Sequence, residues 1–218
     1  MFVFTACGNI SSDKNDKIHD DIPGDSIKNV SISSNARSIV IKQGVTDNFE
    51  FFNADLDEDH QYGVEVTYAE DGNDLGILVT MKNVKAGNDI LGSIVVSIPK
   101  KEFEKIEVAG EYKQICFYTL NSDIWIRASN ASVIMKLMAD ELDHNITLVG
   151  SGSSSFGRVM VYFDRLPENA RIEFNDISQN AVNDPSGFIT GDKLETGLGT
   201  HVISINNADR IDFYVEEM

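Results

Sequence analysis

Residues 106–135 decide the fold: Ile106-Glu107-Val108, Ile115-Cys116-Phe117, Ile124-Trp125-Ile126 and Val133-Ile134-Met135. Each triplet begins nine residues after the one before it (106, 115, 124, 133). Turn-prone residues lie between them: Gly110, Asn121-Ser122-Asp123 and Ser129-Asn130. Apolar residues flanking a central one, repeated between turns, predict short half-buried strands. One short strand cannot bury its apolar face alone, but strands stacked in register build a continuous core. Two steps of nine bring residues 106 and 124, and 115 and 133, into equivalent positions, near one coil of a β-solenoid. Short strands every 8–12 residues also fit a β-sandwich, which stands as the alternative. Even spacing and a shared inward face favour the solenoid.

The same style runs outward in both directions. Before the repeat come Val30-Ser31-Ile32, Ile39-Val40-Ile41, Phe49-Glu50-Phe51, Val64-Glu65-Val66, residues 75–81 and residues 94–98, the last stopped by Pro99. After it come Ile146-Thr147-Leu148, Val159-Met160-Val161, Ile172-Glu173-Phe174, residues 202–205 and Ile211-Asp212-Phe213. Only residues 133–142 offer a helical spacing, and the nine-residue step makes them a strand. The chain is therefore expected to be all-β.

One stretch carries a family resemblance. Ile94-Val95-Val96-Ser97-Ile98-Pro99 leads into Phe103-Glu104-Lys105-Ile106-Glu107-Val108-Ala109-Gly110. This strand, Ile-Pro, spacer, strand order resembles the bacterial "putative adhesin" β-strand-repeat family, exported domains of unknown function. The resemblance extends over about residues 27–215, and Gly150-Ser151-Gly152-Ser153 fits the family's turns. It implies a right-handed parallel β-helix-like fold and an adhesive or binding role. Residues 165–187 depart from the pattern, with Pro167, Pro185 and a polar run, and residues 176–187 are expected to leave the coil.

The N-terminus reads as an address. Met1-Phe2-Val3-Phe4-Thr5-Ala6-Cys7-Gly8-Asn9 resembles a bacterial lipobox, in which the cysteine is lipidated and becomes the mature N-terminus. Phe4 stands where leucine is commonest, and only six residues precede Cys7, so residues 1–6 read as the remnant of a longer signal peptide. Residues 7–26 are polar and acidic and suit a flexible tether after Cys7. Residues 27–218 form the strand-repeat domain, with 27–98 expected to be an irregular β-layer or cap on it. A lipid on Cys7 would hold the exported protein to the cell membrane or outer membrane without a spanning helix.

The formal charge of −17 makes the surface repel nucleic-acid phosphates and acidic lipid surfaces. The two cysteines, Cys7 and Cys116, have no zinc-type spacing, and Cys116 is expected to be a buried free thiol. Asp55-Leu56-Asp57-Glu58-Asp59 invites a calcium reading, but the sixth and twelfth positions hold His60 and Val66 in place of glycine and glutamate. It reads as a solvated hairpin tip. Gly150 to Gly157 is neither a phosphate-binding loop nor a nucleophile elbow. His19, His60, His144 and His201 are scattered, so no metal site is expected. No cofactor is expected either.

Trp125, the only tryptophan, is flanked by Asp123 and Arg127. An aromatic ring beside charges can stack on a sugar, and it can equally be one outward residue between inward Ile124 and Ile126. The reading with most support is a non-enzymatic envelope lipoprotein that binds an extracellular glycan or protein. Two alternatives stand beside it: a carbohydrate-active β-helix enzyme of the envelope, and a structural module that self-associates through exposed coil ends.

Overall fold

The computed structural model describes residues 16–17, 22–34, 38–54, 61–68, 72–82, 93–110, 112–150, 155–177, 181–184 and 193–215. These residues are all-β apart from short 3-10 turns. In chain order the strands are β1 (Asp16–Lys17), β2 (Ile22–Pro23), β3 (Asn29–Ser34), β4 (Ser38–Gln43), β5 (Asn48–Ala54), β6 (Gln61–Tyr68) and β7 (Asp74–Lys82). Then come β8 (Ser93–Ile98), β9 (Phe103–Gly110), β10 (Gln114–Tyr118), β11 (Ser122–Ala128), β12 (Ser132–Leu137) and β13 (Ile146–Gly150). The chain finishes with β14 (Arg158–Phe163), β15 (Ala170–Asn175), β16 (Val182–Asn183), β17 (Lys193–Glu195), β18 (His201–Asn206) and β19 (Ile211–Val215). Residues 133–142 are strand β12 followed by a single 3-10 turn, Ala139–Glu141, so the helical spacing there does not produce an α-helix.

The strands form two large sheets that share one core. The first runs β1-β5-β8-β4-β10-β12-β14-β19-β16, with β2 also on β5. The second runs β17-β15-β18-β13-β11-β9-β3-β7-β6. From β9 to β14 the chain alternates strictly between them, odd strands in the second sheet and even strands in the first. The nine-residue step becomes geometry here. Ile124 pairs with Ile106, and Val133 with Ile115, each eighteen residues on and in parallel register. Leu75, Val30, Ile106, Ile124, Ile146 and Ile203 make one inward ladder of the second sheet. Ile94, Ile39, Ile115, Val133, Val159 and Ile211 make its counterpart in the first. All are buried in the same cluster. The apolar spacing therefore specifies register, because a slip of one residue would turn each ladder outward.

The stacking order is not the sequence order. The pair β3–β4 lies between β7–β8 and β9–β10, and β18–β19 lies between β13–β14 and β15–β16. The evenly spaced repeat does not reveal this, because it covers only the middle of the chain. β3 and β4 are thus built into the stack itself, beside β9 and β10. The antiparallel pairings occur at the edges: β5 on β8, β6 on β7 and β17 on β15. β1 and β2 are also antiparallel on β5, whereas the first sheet's other end, β16, is parallel to β19.

The two sheets differ on their outer faces. Strands of the second sheet alternate buried and accessible residues, as in β11 and β3. In the first sheet the outward residues Val95, Val40, Cys116, Ile134 and Met160 are themselves 4% exposed or less and form a separate apolar ladder. Phe52, Tyr118 and Tyr162 pack against it. Cys116 is buried as expected but is disulfide-bonded, which corrects the reading of a free thiol. Cys7, His19, His60 and the acidic run 55–59 lie outside the described residues.

Candidate functional site

Among the described residues, the polar outer face of the second sheet carries a developed surface site. Its centre is a cross-strand row of ladder partners: Thr67 on β6, Gly76 on β7, Ser31 on β3, Glu107 on β9 and Trp125 on β11. The row continues to Thr147, Ser204 and Glu173. Period-2 alternation puts these residues outside because their neighbours Ile32, Ile106, Val108, Ile124 and Ile126 belong to the core.

Small side chains in this row leave a hollow of about 640 Å3. Its floor is Gly76, where an added Cβ would collide with Thr67 Oγ1. Its walls include Asn29, Ser31, Thr67, Asp74, Lys105 and Glu107. The charges are paired among themselves. Lys105 Nζ donates to Glu107 Oε2 at 2.6 Å, and Arg127 Nε lies 3.6 Å from Glu107 Oε1. Asn29 Nδ2 donates to Asp74 Oδ1 at 2.7 Å. Lys105 Nζ also stands 5.1 Å from the centre of the Trp125 ring, a cation–π contact that links the hollow to the tryptophan.

The three residues singled out by sequence divide. Trp125 faces outward between buried Ile124 and Ile126. Arg127 joins it on that face through Glu107. Asp123 does not join them. It accepts the backbone N–H of Asn145 at 2.9 Å and fixes the start of β13. Asn145 Oδ1 in turn accepts the Val202 N–H at 2.9 Å, tying β18 to the same corner. Sequence proximity cannot separate Asp123 from Arg127, since both have the same parity along β11 and lie on its accessible side; what separates them is their partners, Asn145 for Asp123 and Glu107 for Arg127. Lys105, Glu107, Asn29, Asp74, Ser31 and Thr67 were missed. Only their parity with Trp125 in neighbouring strands could have signalled Ser31 and Glu107.

A second hollow of about 560 Å3 lies at the strand ends, lined by Gln43, Lys100, Asn121, Asp140, Glu141 and Asp143 among others. Beside it His144 Nε2 is 3.0 Å from Asn121 Oδ1 and 3.2 Å from Asp143 Oδ1, and Nδ1 is 3.8 Å from Asp123 Oδ1. Among the described residues no group of three or more His, Cys, Asp or Glu side chains could hold a metal ion.

One carboxylate is strongly specialised. Asp212 is fully buried on the outer face of the first sheet, at the end of the ladder that includes Met160. Burial alone would raise its pKa. Hydrogen bonds from Arg210, Asn183 and Arg158, at 2.7, 2.9 and 2.6 Å, outweigh that and hold it below the ordinary carboxylate range. It is a locked counter-ion, with its lone pairs committed. Nearby, Tyr162 and Tyr214 stack with ring centres 4.7 Å apart.

Comparison with known proteins adds one likeness. Neither a family model nor a curated protein sequence matches the chain. Among solved structures, the fold is similar to a "putative cell adhesion protein" from Clostridium sporogenes, with a TM-score of 0.56 and 13% identity. The match covers 93% of this chain and 99% of that one. At that identity the likeness establishes a shared all-β fold.

Proposed function

We propose that this chain is a non-catalytic binding module of the bacterial cell envelope, with an adhesive role. The observation that carries the reading is the whole-length fold likeness to the Clostridium sporogenes protein, joined to a rigid two-sheet stack with an ordered polar outer face. The paired sheets read as coils of one β-solenoid, each coil giving one strand to each sheet. The paired charges around Glu107 suit recognition, which needs groups held in place.

The lipobox-like start supports anchoring through a thioether on Cys7. Since the chain has two cysteines and Cys116 is disulfide-bonded in the structure, a thioether on Cys7 and that disulfide are alternative states of the protein. The two forms differ in mass. The test uses the complete reading frame in its native host, with globomycin treatment and a Cys7→Ala variant. Anchoring predicts a diacylglyceryl mass increment and membrane partition, both lost on Cys7→Ala. Membrane partition unchanged by both treatments, or a mass showing an intact Cys7 disulfide, would overturn it. The enzyme alternative has one observation in its favour, the carboxylates of Asp123 and Asp143 on either side of His144. Release of new reducing or unsaturated sugar ends, abolished by Asp143→Asn, would support that alternative.

A further inference from the structure

We propose that the row from Thr67 to Trp125, continuing toward Thr147 and Ser204, is a binding trough for a neutral oligosaccharide lying across the strands. This deepens the binding-module reading and rests on it.

Four observations converge on this ligand class. The first is shape. Gly76 and Ser31 hold small residues at consecutive ladder positions, flanked by Thr67 on one side and Glu107 and Trp125 on the other. Strands are about 4.8 Å apart, so Gly76 to Trp125 covers roughly 14 Å perpendicular to the strands. That length suits several linked sugar rings better than one. The second is hydrogen-bonding capacity. Hydroxyls of Ser31 and Thr67, the amide of Asn29 and the carboxylates of Asp74 and Glu107 all line the hollow. They offer donors and acceptors within one depression, as a polyhydroxylated ligand requires.

The third is charge. Asp74, Lys105, Glu107 and Arg127 sum to zero, and Lys105 and Arg127 are already turned to Glu107. An anionic chain would have to draw those cations away from Glu107 and would also meet the repulsion of a −17 molecule. A neutral sugar uses the remaining lone pairs and N–H groups with the pairs intact. The fourth is the aromatic. Trp125 is half-buried on the outer face, steadied by Lys105 Nζ at 5.1 Å and set directly across from Glu107. A tryptophan edge or face beside hydrogen-bonding groups is amphipathic in the way a pyranose ring is, apolar C–H on its faces and hydroxyl at its rim.

Trp125 is also the reporter, since the chain contains no other tryptophan. The experiment titrates the full chain with neutral hexasaccharides (gluco-, xylo-, manno- and N-acetylchito-series), with hexagalacturonate and an unrelated hexapeptide as comparators. Tryptophan emission and calorimetry are read together. The expected result is a saturable emission shift with at least one neutral hexasaccharide. Affinity should fall tenfold or more in Trp125→Ala, read by calorimetry, and in Gly76→Val, which fills the floor. Ser31→Arg changes an exposed side chain in the same trough and should weaken binding even if Gly76→Val folds poorly. Thermal midpoints of Trp125→Ala and Ser31→Arg should stay near that of the unaltered protein.

No emission change with any neutral hexasaccharide at millimolar concentration would overturn the proposal. So would equal binding by Trp125→Ala and Ser31→Arg, or binding only of hexagalacturonate or the hexapeptide. The broader reading has its own readout: attachment of the protein to intact cells or extracellular matrix. Attachment retained in Trp125→Ala would leave a binding module with a different site, and attachment absent throughout would remove both.

Discussion

Asp212 shows how a single side chain can be fixed by its surroundings. Its carboxylate has no solvent exposure, yet it stays ionised because Arg158, Arg210 and Asn183 all donate to it. Replacing it with asparagine removes the counter-charge of two guanidinium groups and turns one acceptor oxygen into a donor, and should cost about 2 kcal/mol at neutral pH, measured by urea denaturation. The pH dependence follows from the sign of the shift. The folded pKa lies below the unfolded value of about 3.9. The stabilisation is therefore complete above that value and declines as the pH falls from it through the folded-state pKa. In Asp212→Asn this acid-side loss should be smaller. An unchanged acid profile would show that other carboxylates carry it. Trp125 and Asp123 make the complementary point. They are adjacent but for one position in sequence and share the accessible side of β11, yet Trp125 meets Lys105 while Asp123 holds Asn145.

Ladders and turns govern the next scale up. Asn130, Asp176 and Asn207 adopt left-handed backbone conformations, with φ of 54°, 57° and 60°. Asparagine and aspartate tolerate that region better than other side chains bearing a Cβ. Asn130→Ala should therefore destabilise by about 1 kcal/mol. Ile126 is fully buried in the ladder between Val108 and Leu148, so Ile126→Ala should cost about 2–5 kcal/mol. Both changes are read by chemical denaturation, and an Asn130 effect as large as the Ile126 effect would contradict this ranking. Much of this scale is legible in the sequence. The alternation of Ile106-Glu107-Val108 and Ile124-Trp125-Ile126 announces strands, and the eighteen-residue spacing announces which strands are neighbours. The hollow is not legible, because Thr67, Gly76, Ser31 and Glu107 are far apart in the chain and meet only through register. The outer apolar ladder of the first sheet is hidden for the same reason. Val40, Cys116 and Ile134 each look like one more residue of an apolar strand until pairing aligns them.

Across the whole molecule, the arrangement is a stack of strand pairs with one core and two unlike outer faces. The order of the stack departs from the order of the chain at both ends, where β3–β4 and β18–β19 enter between pairs that are consecutive in the chain. Local periodicity carries no information about such insertions, since an inserted pair obeys the same alternation as its neighbours. At three of the four sheet ends the terminal strand is antiparallel to its neighbour, while the first sheet's other end finishes on the parallel β16. One outer face is apolar and buried and the other polar and grooved, and the proposed function assigns binding to the polar one. As proposed, the module holds its sugar without cleaving it. The direct measurement incubates the full chain overnight with the neutral hexasaccharide that shifts Trp125 emission, then separates protein-bound and free sugar by size and weighs the sugar by mass spectrometry. The account predicts intact hexasaccharide travelling with the protein. Shortened or unsaturated fragments, or sugar recovered wholly in the free fraction, would contradict it.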